Sequence, residues 1–332
     1  MRARKENEMA DGTRRDERRV LLLDGRYQDY GLERAAIERV GGTLTLNRAL
    51  PTTEEEVLAI PGLANAEVLL VELAPVTRAV LEAASSARAV IRYGTGFDNV
   101  DVEAARERGI SAENIAGYAA ESVSEHAMAL LLAVSRRLVE HVDLVRAGEW
   151  RSGDIRLRPV GLSGHTLGIV GLGAIGKALS ARARGFGLTI VGYDPVADPA
   201  SIGAFAELMS LDELLERSDY VSLHLPLMPE TAGLFDEETL AKMKPGAVLI
   251  NTSRGGLVDE EALIRSLDSG RLSFAALDVV AQEPLPRDHP FRSHPAVLLT
   301  PHVAFWSDQA ELLLRTAVAQ KAVQALTEKG TS

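Results

Sequence analysis

The chain has 332 residues, 46% of them apolar and 25% charged, with a formal net charge of −11 and no cysteine. That length suits about two domains and allows a sizeable core. The negative balance speaks against nucleic-acid binding, which needs clustered Lys and Arg, and the missing cysteines exclude disulfides, thiolate metal sites and a cysteine nucleophile. Residues 1–18 mix basic and acidic side chains without an apolar stretch and predict a disordered tail rather than a secretory signal, with Met9 a second candidate start. Strands are predicted around Val20–Leu23, Leu44–Leu46, Val68–Val71 and Ala89–Arg92, with helices near residues 31–40 and 77–84 between them. Residues 119–145 lack Pro and Gly and predict one long helix, apolar almost all round at Ala127–Val134 and so buried. From Thr166 the alternation starts afresh. Strands are expected at 166–171, 188–193, 219–224, 246–251 and 273–278, and helices at 174–184, 211–216, 236–242 and 259–268. A last strand at Val297–Leu299 and a helix over about 308–327 close the chain. This rhythm predicts an α/β fold of doubly wound parallel sheets. No apolar run approaches the roughly 18 residues needed to cross a membrane, so a cytoplasmic, membrane-free protein is expected.

Gly171–Leu172–Gly173–Ala174–Ile175–Gly176 matches G-x-G-x-x-G, with a strand entering and a helix leaving. The first glycine permits the tight turn, the second lets backbone approach a pyrophosphate, and the third lets helix and strand pack closely. The helix N-terminus then offers N–H groups to phosphate. Asp194 ends the next strand, where an acid binds adenosine ribose hydroxyls; with no Arg at 195–198, it favours NAD over NADP.

Arg254 follows the strand ending at Asn251, on a glycine-containing loop, and its planar fork suits a 2-oxo acid. His302 follows the last strand, and Glu283 precedes it on another loop; a carboxylate beside an imidazole makes a tuned proton donor and acceptor. Gly94–Thr95–Gly96 is a candidate anion nest. The remaining histidines show no metal-ligand spacing, so no metal site is expected, and the absence of G-x-S-x-G leaves a serine hydrolase unsupported.

Together these segments resemble the D-isomer-specific 2-hydroxyacid dehydrogenase family. The run from Gly94 to Asp101, the glycine turn at 168–176, the stretch from Asn251 to Asp259, Ala276–Val279 with Glu283–Pro284, and Thr300–Pro301–His302 carry the likeness. It implies two Rossmann-like domains, with the nucleotide domain (119–299) inserted into a substrate domain (19–118 and 300–332). It also implies that the long helix is a crossover and homodimer element. By the same resemblance Arg254 orients the substrate carboxylate, His302 is the acid/base with Glu283 as partner, and Gly94, Thr95 and Gly96 hold the carboxylate. The cofactor set would be Gly171, Gly173, Ala174, Ile175, Gly176, Asp194, His224, Thr252, Ser253 and Asp278, the last near the nicotinamide amide. The expected activity is NAD-dependent hydride transfer at C2 of a small 2-hydroxy or 2-oxo acid. Residues 96–99 and 300–307 are most similar to the C-terminal-binding protein-like branch, which adds the alternative of an NAD(H)-sensing, corepressor-like module with little turnover. Glu283 and Thr95 depart from formate dehydrogenases, which place Gln there, and from phosphite dehydrogenases, which place Lys. The chain ends soon after His302, so no C-terminal regulatory domain of the kind some phosphoglycerate dehydrogenases carry is expected.

Overall fold

The computed structural model describes residues 18–150 and 158–328; the expected tail falls outside them except for Arg18, which opens the first strand. The chain divides into two compact units, one of residues 1–118 and 311–332, the other of residues 119–310.

The first unit holds strands β1 (Arg18–Leu22), β2 (Gly42–Leu46), β3 (Val68–Val71), β4 (Ala89–Arg92) and β5 (Ser111–Glu113). They form one parallel sheet in the order β2-β1-β3-β4-β5. Helices α1 (Gly31–Arg39), α2 (Glu54–Leu58), α3 (Arg78–Ala83) and α4 (Val102–Glu107) connect them. Successive strand residues feed opposite layers, as a pleated strand requires. Leu21, Leu69 and Val90 join one buried cluster, whereas Val20, Leu22, Val68 and Leu70 join the other. Both faces are covered, so the strands read as continuous apolar runs rather than alternating ones.

The second unit begins with helices α5 (Ala120–Ser135) and α6 (Leu138–Arg146). Its parallel sheet comprises β6 (Thr166–Val170), β7 (Thr189–Tyr193), β8 (Glu207–Leu208), β9 (Tyr220–Leu223), β10 (Ala247–Asn251), β11 (Leu272–Leu277) and β12 (Val297–Leu299). Their order is β12-β11-β10-β9-β6-β7-β8. Helices α7 (Ala174–Arg184), α8 (Pro199–Ile202), α9 (Leu211–Arg217), α10 (Glu237–Lys242) and α11 (Glu260–Asp268) connect the strands. Helix α12 (Asp308–Thr327) closes the chain and, from residue 311, belongs to the first unit, where Leu314, Val318 and Leu326 join a buried cluster. Short polar side chains start many helices: Ser210, Asp236 and Asp259 each accept the N–H three residues on. The fold is thus α/β with two doubly wound parallel sheets.

Three sequence expectations need correction. The single helix over 119–145 is two helices, broken at Arg137, whose φ of +52° is left-handed. No Gly or Pro marks this break; the Arg137 guanidinium instead lies 4.4 Å over the Phe274 ring and 3.0 Å from Glu140 Oε1, contacts that tie the turn to the sheet. Helices α2, α4 and α8 and strands β5 and β8, each of two to six residues, were not anticipated. Finally, residues 300–310 group with the second unit, because Asp278 ties Thr300, Val303 and Ala304 to the end of β11.

Leu131 on α5 is fully buried against the sheet face that includes Ile169 and Ile250. A Leu131→Ala variant is expected to lose about 2–5 kcal/mol of stability through lost contacts and a residual cavity. Urea unfolding followed by circular dichroism measures it, and a loss below about 1 kcal/mol would contradict this packing.

Candidate functional site

In the second sheet the order reverses at β6, which lies between β9 and β7. Ligands of open α/β sheets bind beyond the carboxyl ends of strands at such a switch point. Gly171 stands directly after β6 with φ +99°, and a Cβ there would come within 2.6–2.8 Å of His224 and Leu225 backbone. A Cβ on Gly176 would lie 2.1 Å from the Gly171 carbonyl oxygen, so this close packing of turn against helix demands glycine. At Gly173 no atom lies within 4 Å of a Cβ position, which leaves the turn open. Gly173 offers no side-chain cap to α7, so the N–H groups of Ala174, Ile175 and Gly176 have no intrahelical acceptor. Asp194 follows β7 and receives the Leu172 N–H at 2.8 Å and the Val196 N–H at 3.0 Å. Its carboxylate is thereby anchored to the turn itself.

Two buried polar atoms at the same carboxyl edge of the sheet lack a hydrogen-bond partner among the described residues: His224 Nδ1 and Thr252 Oγ1. Burial pushes the His224 imidazole down to about 3, so it is neutral, and its Nε2 pairs with Ser222 Oγ at 2.9 Å. The adjoining Ser253 hydroxyl is already engaged by the Leu223 carbonyl at 2.9 Å. An open glycine cradle, uncapped N–H groups, an anchored acid and two orphaned polar atoms fit a dinucleotide.

The neighbouring strands β10, β11 and β12 present Arg254, Glu283 and His302 on the loops beyond their carboxyl ends. Arg254 is held by its backbone. Asn251 Nδ2 donates to the Arg254 carbonyl at 2.8 Å, and Asn251 Oδ1 accepts from Ser253 N at 3.0 Å. A Cβ on Gly255 would sit 1.9 Å from the Val280 carbonyl carbon, so the Arg254 loop presses directly on the loop bearing Glu283. Glu283 Oε2 meets His302 Nδ1 at 2.6 Å, and its Oε1 accepts from Val280 N at 3.2 Å. Partial burial opposes the charge on Glu283. The His302 hydrogen bond and charge, the Val280 N–H and the Arg254 charge outweigh that and hold the carboxyl below its usual value.

His302 has φ +53°, a left-handed conformation that a non-glycine residue adopts at a cost of about 1–3 kcal/mol. Asp278 holds it there. The buried carboxylate accepts from Thr300 Oγ1 at 2.5 Å, Val303 N at 3.0 Å and Ala304 N at 2.8 Å, and the Asp278 carbonyl accepts His302 N at 2.8 Å. His126, which sequence spacing did not mark, adds Nε2 to Thr300 Oγ1 at 2.9 Å and lies 3.5 Å from Asp278 Oδ1. Asp278 therefore orders the His302 loop, a task the sequence reading had not given it. Gly94, Thr95 and Gly96 lie in the first unit, beyond β4. There Gly94 has φ +139°, and the Thr95 carbonyl accepts from Asn114 Nδ2 at 2.5 Å. Among the described residues no cluster of His, Cys, Asp and Glu could hold a metal, and no helix is long and apolar enough to cross a membrane.

Residues 128–304 match the family model for the D-isomer specific 2-hydroxyacid dehydrogenase, NAD binding domain. The D-3-phosphoglycerate dehydrogenase of Mycobacterium leprae is 42% identical over 83% of this chain and 52% of its own length. The chain thus spans about half the length of the phosphoglycerate dehydrogenases it matches. The glyoxylate reductase of Korarchaeum cryptofilum is 41% identical over 75% of this chain and 76% of its own. A crystal structure of Aquifex aeolicus D-lactate dehydrogenase, complexed with NAD and lactic acid, superposes with a TM-score of 0.81 at 28% identity, covering 91% of this chain and 93% of that one.

The lowered Glu283 carboxyl has a stability consequence. A depressed folded-state value stabilises above the ordinary carboxyl range and loses that stabilisation as pH falls through it. Wild type is therefore expected to exceed Glu283→Gln in stability near neutral pH, with the gap closing under acid. Urea midpoints across pH measure the gap; a constant gap would contradict the pairing.

Proposed function

Because the chain belongs to the D-isomer specific 2-hydroxyacid dehydrogenase family, we propose that it is an NAD-dependent oxidoreductase acting at C2 of small D-2-hydroxy acids and their 2-oxo partners. The observation that carries this reading is the 2.6 Å His302–Glu283 pair standing beside Arg254 at the carboxyl edge of a nucleotide-binding sheet. The nicotinamide supplies the hydride acceptor for oxidation and the donor for reduction. Glu283, held ionised, requires the proton on His302 Nδ1, which leaves the Nε2 lone pair to take the substrate hydroxyl proton. In reduction the same Nε2 returns that proton to the nascent alkoxide. Arg254 binds the carboxylate and polarises the C2 carbonyl, a task for which a planar fork is better than an ammonium. Within the first unit, the N–H groups of the Gly94–Thr95–Gly96 segment are the candidate nest for a carboxylate. Asp194, fastened to the glycine turn, accepts ribose hydroxyls and repels a 2′-phosphate, which selects NAD.

Purified protein, NADH and a panel of 2-oxo acids (glyoxylate, hydroxypyruvate, phosphohydroxypyruvate, pyruvate, phenylpyruvate) test this by the nicotinamide absorbance. Rapid oxidation with one acid is expected, and His302→Ala should lower turnover about 10²–10⁴-fold. NADH binding without oxidation of any kind would overturn the enzyme reading in favour of a cofactor-sensing module.

We also propose a homodimer. Helix α6 buries none of its residues, and Leu138, Val142 and Val145 form an apolar stripe at helical spacing, 55%, 38% and 51% exposed. Such a face marks an association surface. Light scattering should show a dimer for wild type and a monomer for a folded Leu138→Glu/Val142→Glu double variant. An unchanged mass would remove α6 from the interface.

A further inference from the structure

The first sheet has its own switch point, since β1 lies between β2 and β3. Two acids stand beyond the carboxyl ends of these strands, Asp24 after β1 and Glu72 directly after β3. Asp24 is buried, and its carboxylate accepts the N–H groups of Glu72, Leu73 and Ala74 at 2.8, 2.5 and 2.9 Å. It is therefore a fastening. Glu72 is different: its side chain keeps 18% exposure, and Arg26 Nε lies 3.7 Å from its Oε2.

Glu72 also stands beside the Gly94–Gly96 segment. Its strand pairs in register with β4, Val71 opposite Arg92. A Cβ on Gly94 would come within 1.6 Å of Arg92 Nη1, so that guanidinium lies against the loop, and its charge acts on Glu72. Asn99 Nδ2 donates to the Ala74 carbonyl at 2.8 Å and to the Glu72 carbonyl at 3.4 Å, tying the far end of the same loop to the Glu72 segment.

Resting on the dehydrogenase reading above, we propose that Glu72 sets the charge of the substrate: the chain acts on small 2-oxo acids whose remaining substituent is uncharged and rejects those bearing a second anion such as a phosphate. The carboxylate takes the Gly94–Gly96 N–H groups, so the rest of the acid extends past Glu72, on whose charge Asp24 and Glu311 press and which Arg26 and Arg92 oppose in part. A phosphate placed there meets like charge, which costs affinity and discriminates against it. The discrimination depends on pH. Burial pushes the Glu72 carboxyl up to about 7; Asp24 and Glu311 add to the rise, and Arg26 and Arg92 oppose it. Tyr27 and Tyr30, whose phenols Glu72 helps push above their ordinary value, are the other titratable neighbours and stay neutral throughout. Repulsion therefore grows as pH rises through about 7.

The test compares kcat/KM for hydroxypyruvate, its phosphate ester and sulfopyruvate, whose sulfonate keeps one charge, in wild type and Glu72→Gln over about pH 5.5–8.5. Wild type should prefer hydroxypyruvate, with the preference over sulfopyruvate rising through neutrality. In Glu72→Gln that preference should fall about tenfold and lose its pH step. The phosphate ester titrates on its own account, so only the difference between the two proteins is read from it. Should the variant fail to fold, the wild-type sulfopyruvate profile decides alone. Preference for the doubly charged acids, or a ratio that neither pH nor the substitution moves, overturns the proposal while leaving the dehydrogenase reading intact. If nothing turns over, calorimetric binding of the same acids in the presence of NADH replaces kcat/KM. Absence of both turnover and binding sinks the parent reading and this inference together.

Discussion

The candidate chemistry of this chain depends on one buried carboxylate. Asp278 directly follows β11, is almost wholly sealed from solvent, and gathers a hydroxyl and two backbone N–H groups from residues 300–304. A buried charge is tolerated only when such partners satisfy it, and satisfying it forces the loop into one path. On that path His302 takes a left-handed backbone conformation that an isolated residue would avoid. The strain is supported by hydrogen bonds on either side of it, which keeps the imidazole at one place and one angle. Asp278 thus positions His302, the candidate proton-transfer residue, through the backbone of its loop.

The same logic recurs along the sheet edge. Asn251 pins the backbone on both sides of Ser253, and Gly255 lets the Arg254 loop lie directly on Val280. Three adjacent parallel strands therefore present guanidinium, carboxylate and imidazole on loops whose backbones are immobilised by neighbours rather than by their own sequence. On the other side of the switch point the glycine turn leaves N–H groups uncapped and two polar atoms orphaned, a local cost that a dinucleotide would relieve. Stability has been given up where binding is needed and recovered in the continuous apolar layers on both sheet faces.

The first unit shows a contrasting use of acids at a switch point. Asp24 is fully engaged by three backbone N–H groups, whereas its neighbour Glu72 stays partly exposed and titrates near neutrality. Two carboxylates beyond adjacent strands thus take separate tasks because one is fastened by three backbone donors and the other is left between acids and guanidinium groups.

From the sequence alone came the α/β class, nearly every strand of four residues or more, and the dinucleotide turn. These are local properties: apolar runs of strand length, helical periodicity, and glycines where backbone has no room for a Cβ. Arg254, Glu283 and His302 were also legible as candidates, but it was the ordered set of motifs and its resemblance to a known family, rather than the position of any one of them, that gave them roles. What only the tertiary structure decided were the contacts between distant segments. His126 reaches Thr300 across 174 residues, and no spacing rule links them. The break at Arg137 carries no Gly or Pro, since a ring on β11 and a neighbouring acid stabilise it. The role of Asp278 in holding the His302 loop was equally hidden, because a carboxylate's partners depend on which loops the sheet order brings beside it. Local chemistry writes the elements and the motifs; which charges meet is settled by strand order, and strand order is a property of the packed chain.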